Sequence, residues 1–150
     1  MATPQIATTN SPLNEAVEQI GDRWSLLVVD ALLQGPRRFG ELSEDVPGLA
    51  PNILSKRLKR LEADGLIIAE PYLQRPLRYA YRLTASGEEL AGVLRLLAQW
   101  AAARRGSTPG SVADTGLAHQ TCGTTLEAQW YCPTCSVVVE TDQATDLRWV

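Results

Sequence analysis

The residues of this sequence best suited to chemistry lie near its C-terminal end. All three cysteines and the single histidine fall within residues 119–135, HQTCGTTLEAQWYCPTC. Two residues separate His119 from Cys122, and two separate Cys132 from Cys135, so each pair can turn both side chains toward one point. Three thiolates and one imidazole complete a tetrahedral Zn²⁺ shell without an open position, which is typical of a structural site. The sequence therefore predicts one structural zinc ion per chain, held by these four residues.

Two other uses of the cysteines stay open at this point. Cys132 and Cys135 could form a disulfide and release the metal, which would make the segment a thiol or zinc redox sensor. A thiol-disulfide enzyme built on CPTC is disfavoured, because a redox Cys-x-x-Cys usually opens a helix of a βαβ unit. Here SVVVE follows Cys135 and favours a strand, so we do not expect an enzyme.

The segment that carries these ligands is short. Residues 106–116, GSTPGSVADTG, have the composition of a linker. The segment 117–150 beyond it is too small to bury a core unaided, and structural zinc typically supplies about 10–16 kcal/mol in such modules. The strand-like stretches LEAQW, SVVVE and DLRWV predict a small β-rich, zinc-ribbon-like module at residues 117–150.

The remainder of the chain is predicted to be mainly helical. Apolar periodicity and turn residues place helices at 13–20, 23–33, 39–46, 51–64 and 86–104, and strands at 66–73 and 79–84. Helices 39–46 and 51–64, joined around Pro47-Gly48, form a helix-turn-helix pattern. The strand pair after them, with QRPLR as a tip longer than two residues, adds a wing. Ser86 and Glu89 have the spacing of a capping box for the last helix.

Charge is unevenly distributed along the chain. The net charge of −3 argues at first against a nucleic-acid partner. Residues 36–105, however, carry twelve Lys/Arg against eight acids, a net of +4, whereas residues 1–35 carry −3 and residues 106–150 carry −4. Phosphate attraction is local, because salt screens charges beyond about 8 Å. The basic middle segment can therefore bind double-stranded DNA despite the acidic total.

The helix at 51–64 is the best candidate for reading DNA. If Leu54, Leu58 and Leu61 point inward, the opposite face is polar, partly cationic and free of bulky side chains near its start, as the major groove requires. The residues predicted to contact bases or phosphates there are Asn52, Ser55, Lys56 and Lys59. Arg57 and Arg60 lie on its flanks, where they would meet phosphates or pair with Glu62 and Asp64.

Two further cationic elements have the positions that a winged helix-turn-helix would give to DNA contacts. Arg75 and Arg78 flank Pro76-Leu77 at the wing tip, which suits the minor groove or its bordering phosphates. Arg37 and Arg38 precede the first helix of the pair, where backbone contacts are expected. The alternatives that stay open are an ordinary solvated basic surface and a winged helix that binds protein instead of DNA.

Several motifs together resemble the HxlR family of winged-helix transcription regulators. They are the Ile-Gly-x-x-Trp start, GPRRFGEL, the Leu-x-x-Arg-Leu-x-x-Leu-x-x-x-Gly-Leu run and the Tyr-x-Leu-Thr-x-x-Gly end, within residues 11–103. The resemblance implies a cytoplasmic, homodimeric, sequence-specific DNA binder that acts as repressor or activator. It also implies dimer contacts from the N-terminal and post-wing helices, here through Leu13, Val17, Leu94, Leu97 and Trp100.

The N-terminal region departs from the family in one respect. Many similar proteins carry a Cys-Pro before the first helix, and in several that thiol senses oxidants, but this chain has Ser11-Pro12. A serine cannot undergo thiol oxidation, so sensing by that route is not expected. Residues 1–10 are predicted to be a disordered lead-in without signal-peptide character. No apolar run approaches the roughly 20 residues of a membrane span.

Overall fold

The structure, a computed structural model, describes residues 11–104, 118–124, 126 and 128–139. The predicted lead-in 1–10, the linker 106–116 and the strand candidate DLRWV lie outside this part of the chain. The elements are, in order, α1 (Pro12–Ile20), α2 (Arg23–Leu33), β1 (Arg37–Arg38), α3 (Phe39–Asp45), α4 (Pro51–Ala63), β2 (Ile67–Gln74), β3 (Leu77–Leu83), α5 (Ala85–Arg104), β4 (Trp130–Cys132) and β5 (Val137–Val139). The helices agree closely with the predicted ones.

Local capping interactions define where the first helices begin. The Ser11 hydroxyl accepts a hydrogen bond from the backbone N–H of Asn14 at 3.1 Å, and Pro12 occupies the first turn of α1. The Asp22 carboxylate caps α2, since it accepts hydrogen bonds from the backbone N–H groups of Trp24 and Ser25. Ser11, which stands where the resemblance implied a Cys-Pro pair, therefore caps α1.

The core lies where α2, α3 and α4 meet the inner end of the sheet. Leu54, Leu58 and Leu61 are buried as predicted and fix the inward face of α4. Leu27 of α2 is 45% exposed, because Ser25, Val28, Val29 and Leu32 form the buried face of that helix. The buried cluster comprises Val28, Val29, Leu32, Leu42, Val46, Leu49, Leu54, Leu58, Leu61, Leu66, Ile67 and Leu83.

A three-stranded antiparallel sheet follows the order β1-β3-β2. The two-residue strand β1 was not predicted, since so short a strand has no periodicity of its own. It is defined by its pairing with β3, in which Arg37 lies opposite Tyr81 and Arg38 opposite Ala80. Helices α3 and α4 with this sheet make a winged helix-turn-helix fold.

The tip of the wing is tighter than predicted. Strands β2 and β3 pair as far as Gln74 and Leu77, so the tip consists of Arg75 and Pro76 alone. Arg78, which was expected in the loop, lies in β3 opposite Leu73. The polar character of these positions suggested a loop, but backbone pairing in a two-stranded ribbon tolerates exposed polar side chains.

The junction between the wing and α5 also differs from prediction. Helix α5 begins at Ala85, and Thr84 caps it by accepting a hydrogen bond from the backbone N–H of Gly87 at 3.1 Å. The same hydroxyl donates to the carbonyl oxygen of Gly65 at 2.6 Å. The predicted capping box of Ser86 and Glu89 is therefore wrong, because the capping residue is Thr84, two residues before Ser86.

The chain divides into two compact units, Met1–Leu94 and Arg95–Val150, and α5 runs across the division. In the second unit, β4 and β5 form an antiparallel hairpin in which Trp130 pairs with Val139 and Cys132 with Val137. Within the described ranges, no helix is both long and apolar enough to cross a membrane.

Candidate nucleic-acid interface

Helix α4 presents its polar face to solvent because its apolar face is anchored in the core. Asn52, Lys56 and Lys59 are exposed, and Ser55 is half-buried. The Asn52 side-chain oxygen accepts from the backbone N–H of Ile53 at 2.9 Å, and the Ser55 hydroxyl donates to the carbonyl of Pro51 at 3.0 Å. The predicted contact residues thus share the outward side of the helix, with two lysines as its cationic part.

Ion pairs engage three of the six predicted arginines. Arg37 pairs with Asp45 at 3.0 Å, and Arg57 pairs with Asp22. Arg60 lies 3.5 Å from Asp64 and also donates to the carbonyl of Glu18 at 2.6 Å. Of the two roles considered for Arg60, phosphate contact or pairing with an acidic neighbour, the structure shows the pair with Asp64.

Arg57 has a different partner from the one expected. It does not pair with Glu62 or Asp64 but reaches the N-cap residue of α2, and both side chains of the pair are about one-third exposed (28% and 32%). Together, Arg57 and Arg60 connect one side of α4 to the segment where α1 ends and α2 begins, the α1–α2 joint. The positive charges of both arginines are already compensated by protein groups.

The other five basic candidates have no carboxylate partner among the described residues. They are Arg38, Lys56, Lys59, Arg75 and Arg78. All five are exposed. Uncompensated exposed cations keep their full attraction for phosphate, so this set defines the candidate interface more narrowly than the sequence did.

A cleft of about 370 Å³ separates α4 from the wing. Its lining residues are Ser55, Leu58, Lys59, Glu62, Ala69, Tyr79 and Tyr81. Burial, together with the charge of Glu62 and the nearby Tyr79, raises the pKa of Tyr81. The Tyr81 hydroxyl therefore remains protonated at neutral pH, and Tyr81 can offer a hydrogen-bond donor among the residues that line the cleft.

The first pair of the predicted zinc ligands is assembled in a tight turn. His119 Nδ1 lies 3.3 Å from Cys122 Sγ, and the His119 carbonyl accepts from the N–H of Gly123 at 2.8 Å. Gly123 has a φ of +70°, in the left-handed region that favours glycine. Hydrogen bonds with Thr124 and then His119 lower the pKa of the Cys122 thiol to about 7.

The second pair lies at the turn of the β4–β5 hairpin. Hydrogen bonds from Cys135 and Thr134 lower the pKa of the Cys132 thiol. The hydrogen bond with Cys132 and the charge of Cys132 raise the pKa of the Cys135 thiol. Among the described residues, no group of three or more His, Cys, Asp or Glu side chains lies close enough to hold a metal. The donor types fit zinc and the two pairs are formed, but the complete set of four stays a prediction.

The residues predicted to form a dimer interface differ in exposure. Leu13 and Val17 of α1 are 68% and 55% exposed, and Leu97 and Trp100 of α5 are also largely exposed. Leu94 packs against the core instead. The sequence reasoning for the interface omitted Val93 and Leu96, which extend the exposed apolar stripe on α5; their spacing with Leu97 and Trp100 was the available signal.

Comparison with known proteins decides the family. The model of the HxlR-like helix-turn-helix family matches residues 19–108. The chain belongs to the HxlR family. The HTH-type transcriptional regulator Rv3095 of Mycobacterium tuberculosis is 34% identical over 123 residues, which cover 82% of this chain and 76% of that protein. This HxlR-family protein is thus a DNA-binding transcription regulator, as its helix-turn-helix and wing indicated.

Solved structures agree with this assignment. The redox regulator HypR in its reduced form matches with a TM-score of 0.60 and 29% identity, over 63% of this chain and 94% of that chain. The crystal structure of PA1607 matches with a TM-score of 0.73 and 28% identity, over 95% of this chain and 96% of that one. The likeness to PA1607 thus extends beyond the segment that the family model covers.

Proposed function

We propose that this HxlR-family regulator binds operator DNA with α4 in the major groove. The observation that carries the proposal is that the basic side chains of α4 fall into two groups, one paired with protein groups and one exposed. Lys56 and Lys59 are exposed without a carboxylate partner in the described chain, while Arg57 and Arg60 are engaged by the α1–α2 joint. One side of the helix is fixed and the other is free to meet bases and phosphates, as recognition helices require.

The wing supplies a second contact in this proposal. Arg75 lies at the two-residue tip and Arg78 follows in β3, both exposed. Arginine side chains at the end of a narrow ribbon fit the minor groove or the phosphates along it. Asn52 and Lys56 near the start of α4 would read base edges, and Lys59 would contact the backbone.

A homodimer is part of the proposal. The exposed residues Leu13 and Val17 on α1, and Val93, Leu97 and Trp100 on α5, are large apolar side chains on helix surfaces. Association with a second copy would remove them from water. The operator would then be two-fold symmetric, with half-sites separated by about one helical turn or a multiple of it.

The C-terminal segment 117–150, called the tail below, is proposed to hold one structural zinc ion. His119 and Cys122 would supply one half of the shell, and Cys132 and Cys135 the other half, with Zn²⁺ drawing the two preformed turns together. The ion would contribute the folding free energy that a short segment with exposed side chains such as Trp130 and Val137 lacks.

Selection of bound fragments tests the proposed function directly. Genomic DNA of the source organism would be sheared, incubated with the full chain and recovered through several rounds. We expect enrichment of one two-fold symmetric sequence. Recovery of no enriched sequence at low salt, where phosphate attraction is strongest, would favour the alternative of a winged helix that binds protein.

A second candidate is redox control through the tail. Cys132 and Cys135 lie close enough to interact through a hydrogen bond, and HypR, a structural relative, is a redox regulator. Oxidation of the pair to a disulfide would remove two zinc ligands. DNA affinity measured before and after treatment with diamide, in the wild type and in Cys132→Ser, distinguishes a switch from a purely structural site: only a switch changes affinity, and only in the wild type.

A further inference from the structure

Arg38 and Tyr72 form a contact that lies outside the predicted recognition helix. The guanidinium carbon of Arg38 lies 4.4 Å from the centroid of the Tyr72 ring, within the range of a cation–π interaction. Arg38 belongs to β1 at the start of α3, and Tyr72 belongs to β2 of the wing. The contact therefore joins the helix-turn-helix to the wing across the sheet.

The register of the sheet makes this contact possible. Strand β3 lies between β1 and β2, and Arg38 is opposite Ala80 on that middle strand. A methyl side chain at Ala80 obstructs a long neighbouring side chain less than a larger residue would. The ladder shifts register between Pro71 and Leu73, so Tyr72 is the extra residue of a bulge. Bulges redirect side chains, and this one brings the ring to the arginine.

The contact holds the guanidinium without neutralising it. Arg37, the neighbour of Arg38, is paired with Asp45, and Arg82 of the same sheet is paired with Glu70. Arg38 has no carboxylate partner among the described residues. A ring face stabilises the cation but leaves the N–H donors at the rim of the guanidinium free for an anion. Arg38 is thus restrained and still charged.

A second cation lies at the same place. Arg38, Tyr72 and Arg78 all line a cleft of about 370 Å³ beside the wing, together with Tyr79. Two guanidiniums at one open cleft, with no carboxylate among its lining residues, suit the repeated negative charges of a nucleic-acid backbone. The cleft at α4 differs, since Glu62 lines it.

We propose that Tyr72 is a positioning residue that holds Arg38 against a backbone phosphate of bound duplex DNA, with Arg78 in the same cleft. The inference rests on the proposed function and adds a residue to it. Tyr72 acts through Arg38: its ring restricts the arginine before DNA arrives, so less side-chain freedom is lost on binding. Its hydroxyl has no part in the contact.

The experiment measures affinity for a fluorescent duplex, selected by the wild-type protein from random-sequence DNA, across a series of salt concentrations. Arg38→Gln should weaken binding and lower the magnitude of the log K against log salt slope by about 0.9, the value for one phosphate contact. Tyr72→Leu should weaken binding about 2- to 10-fold, the effect expected when one long side chain must be ordered on binding, and leave the slope unchanged because the charge remains.

Two variants separate positioning from a structural role. Tyr72→Phe keeps the ring and should bind like the wild type, and Arg38→Gln combined with Tyr72→Leu should bind like Arg38→Gln alone. Affinity of Tyr72→Leu equal to wild type overturns the inference. So does a loss in Tyr72→Phe as large as in Tyr72→Leu, which would assign the contact to the hydroxyl.

Folding and the proposed function are checked in the same series. Arg38→Lys keeps the charge but loses the planar stack, so it should reproduce the effect of Tyr72→Leu without altering the wing. If Tyr72→Leu fails to fold, Arg38→Lys decides: wild-type affinity there overturns the inference. Failure of the wild-type protein to bind any duplex would instead overturn the proposed function.

Discussion

Arg57 of the recognition helix candidate forms an ion pair with Asp22, the residue that caps α2. Asp22 thus has two partners: one carboxylate oxygen accepts from the backbone at the start of α2, and the other binds a guanidinium from α4. The pair ties the orientation of α4 to that of α2. A basic residue on a DNA-binding helix therefore serves the protein's own architecture.

Replacement of Arg57 by alanine should reduce stability more than DNA affinity. The pair is about one-third exposed, so we expect a loss of about 1–2 kcal/mol in the free energy of unfolding, between the values for exposed and buried pairs. The salt slope of DNA binding should stay at the wild-type value. Chemical denaturation and DNA titration on the same sample check both; a slope reduced by about 0.9 would show that Arg57 contacts phosphate.

Replacement of Lys56 and Lys59 together should give the opposite result. Both are exposed, and alanine is a good helix former, so stability should change by less than about 0.5 kcal/mol. Each lost phosphate contact should lower the magnitude of the salt slope by about 0.9. Arg95→Ala is the matched control, since it removes an exposed charge from α5. If Arg95→Ala lowers the salt slope of DNA binding as much as the double lysine variant does, α4 is not the recognition helix.

The sequence predicts the helices of this protein well because each has a periodic apolar face and a clear end signal. Leu54, Leu58 and Leu61 are buried as their spacing indicates. The sheet was harder to predict. Strand β1 is defined only by its pairing with β3, which is distant in the sequence. The wing strands are longer than predicted at the tip, because backbone pairing continues past Leu73 to Gln74 and Leu77.

The candidate interface was only partly predictable. Helical phase placed Lys56 and Lys59 on the exposed side, which needs no tertiary information. The pairing of Arg57 with Asp22 and the stacking of Arg38 on Tyr72 join residues far apart in the chain. Sequence alone cannot distinguish an arginine that awaits phosphate from one that already has a carboxylate, because both are simply charged residues on a helix flank or strand.

Gly87 of α5 has a packing role that explains the glycine of the Tyr-x-Leu-Thr-x-x-Gly motif. A Cβ at this position would collide with the carbonyl oxygen of Leu66 and lie 3.0 Å from Leu83 Cδ2. We therefore expect Gly87→Ala to lower the free energy of unfolding by about 1–3 kcal/mol. Gly92→Ala is a matched control in the same helix, since nothing lies within 4 Å of its added Cβ.

The two glycine variants should change stability in opposite directions. Gly92→Ala should stabilise the protein by about 0.5–1 kcal/mol, because alanine restricts the unfolded chain and favours the helix. Denaturant unfolding of both variants under one set of conditions checks the difference. A Gly87→Ala protein as stable as Gly92→Ala would mean that α5 can move away from the Leu66 carbonyl without cost.

The tail should bind about one zinc ion per chain through His119, Cys122, Cys132 and Cys135. We expect Cys122→Ser and Cys132→Ser each to abolish stoichiometric zinc, because removal of one thiolate opens the tetrahedral shell. Thr121→Ala, which changes an exposed neighbour that is not a ligand, should retain it. Metal analysis of freshly reduced protein measures the zinc content of each variant.

Removal of the zinc should affect the tail alone. A chelator should expose the hairpin Trp130–Val139 to proteolysis and leave residues 11–94 folded. A metal-free protein whose hairpin stays protected would contradict the zinc site.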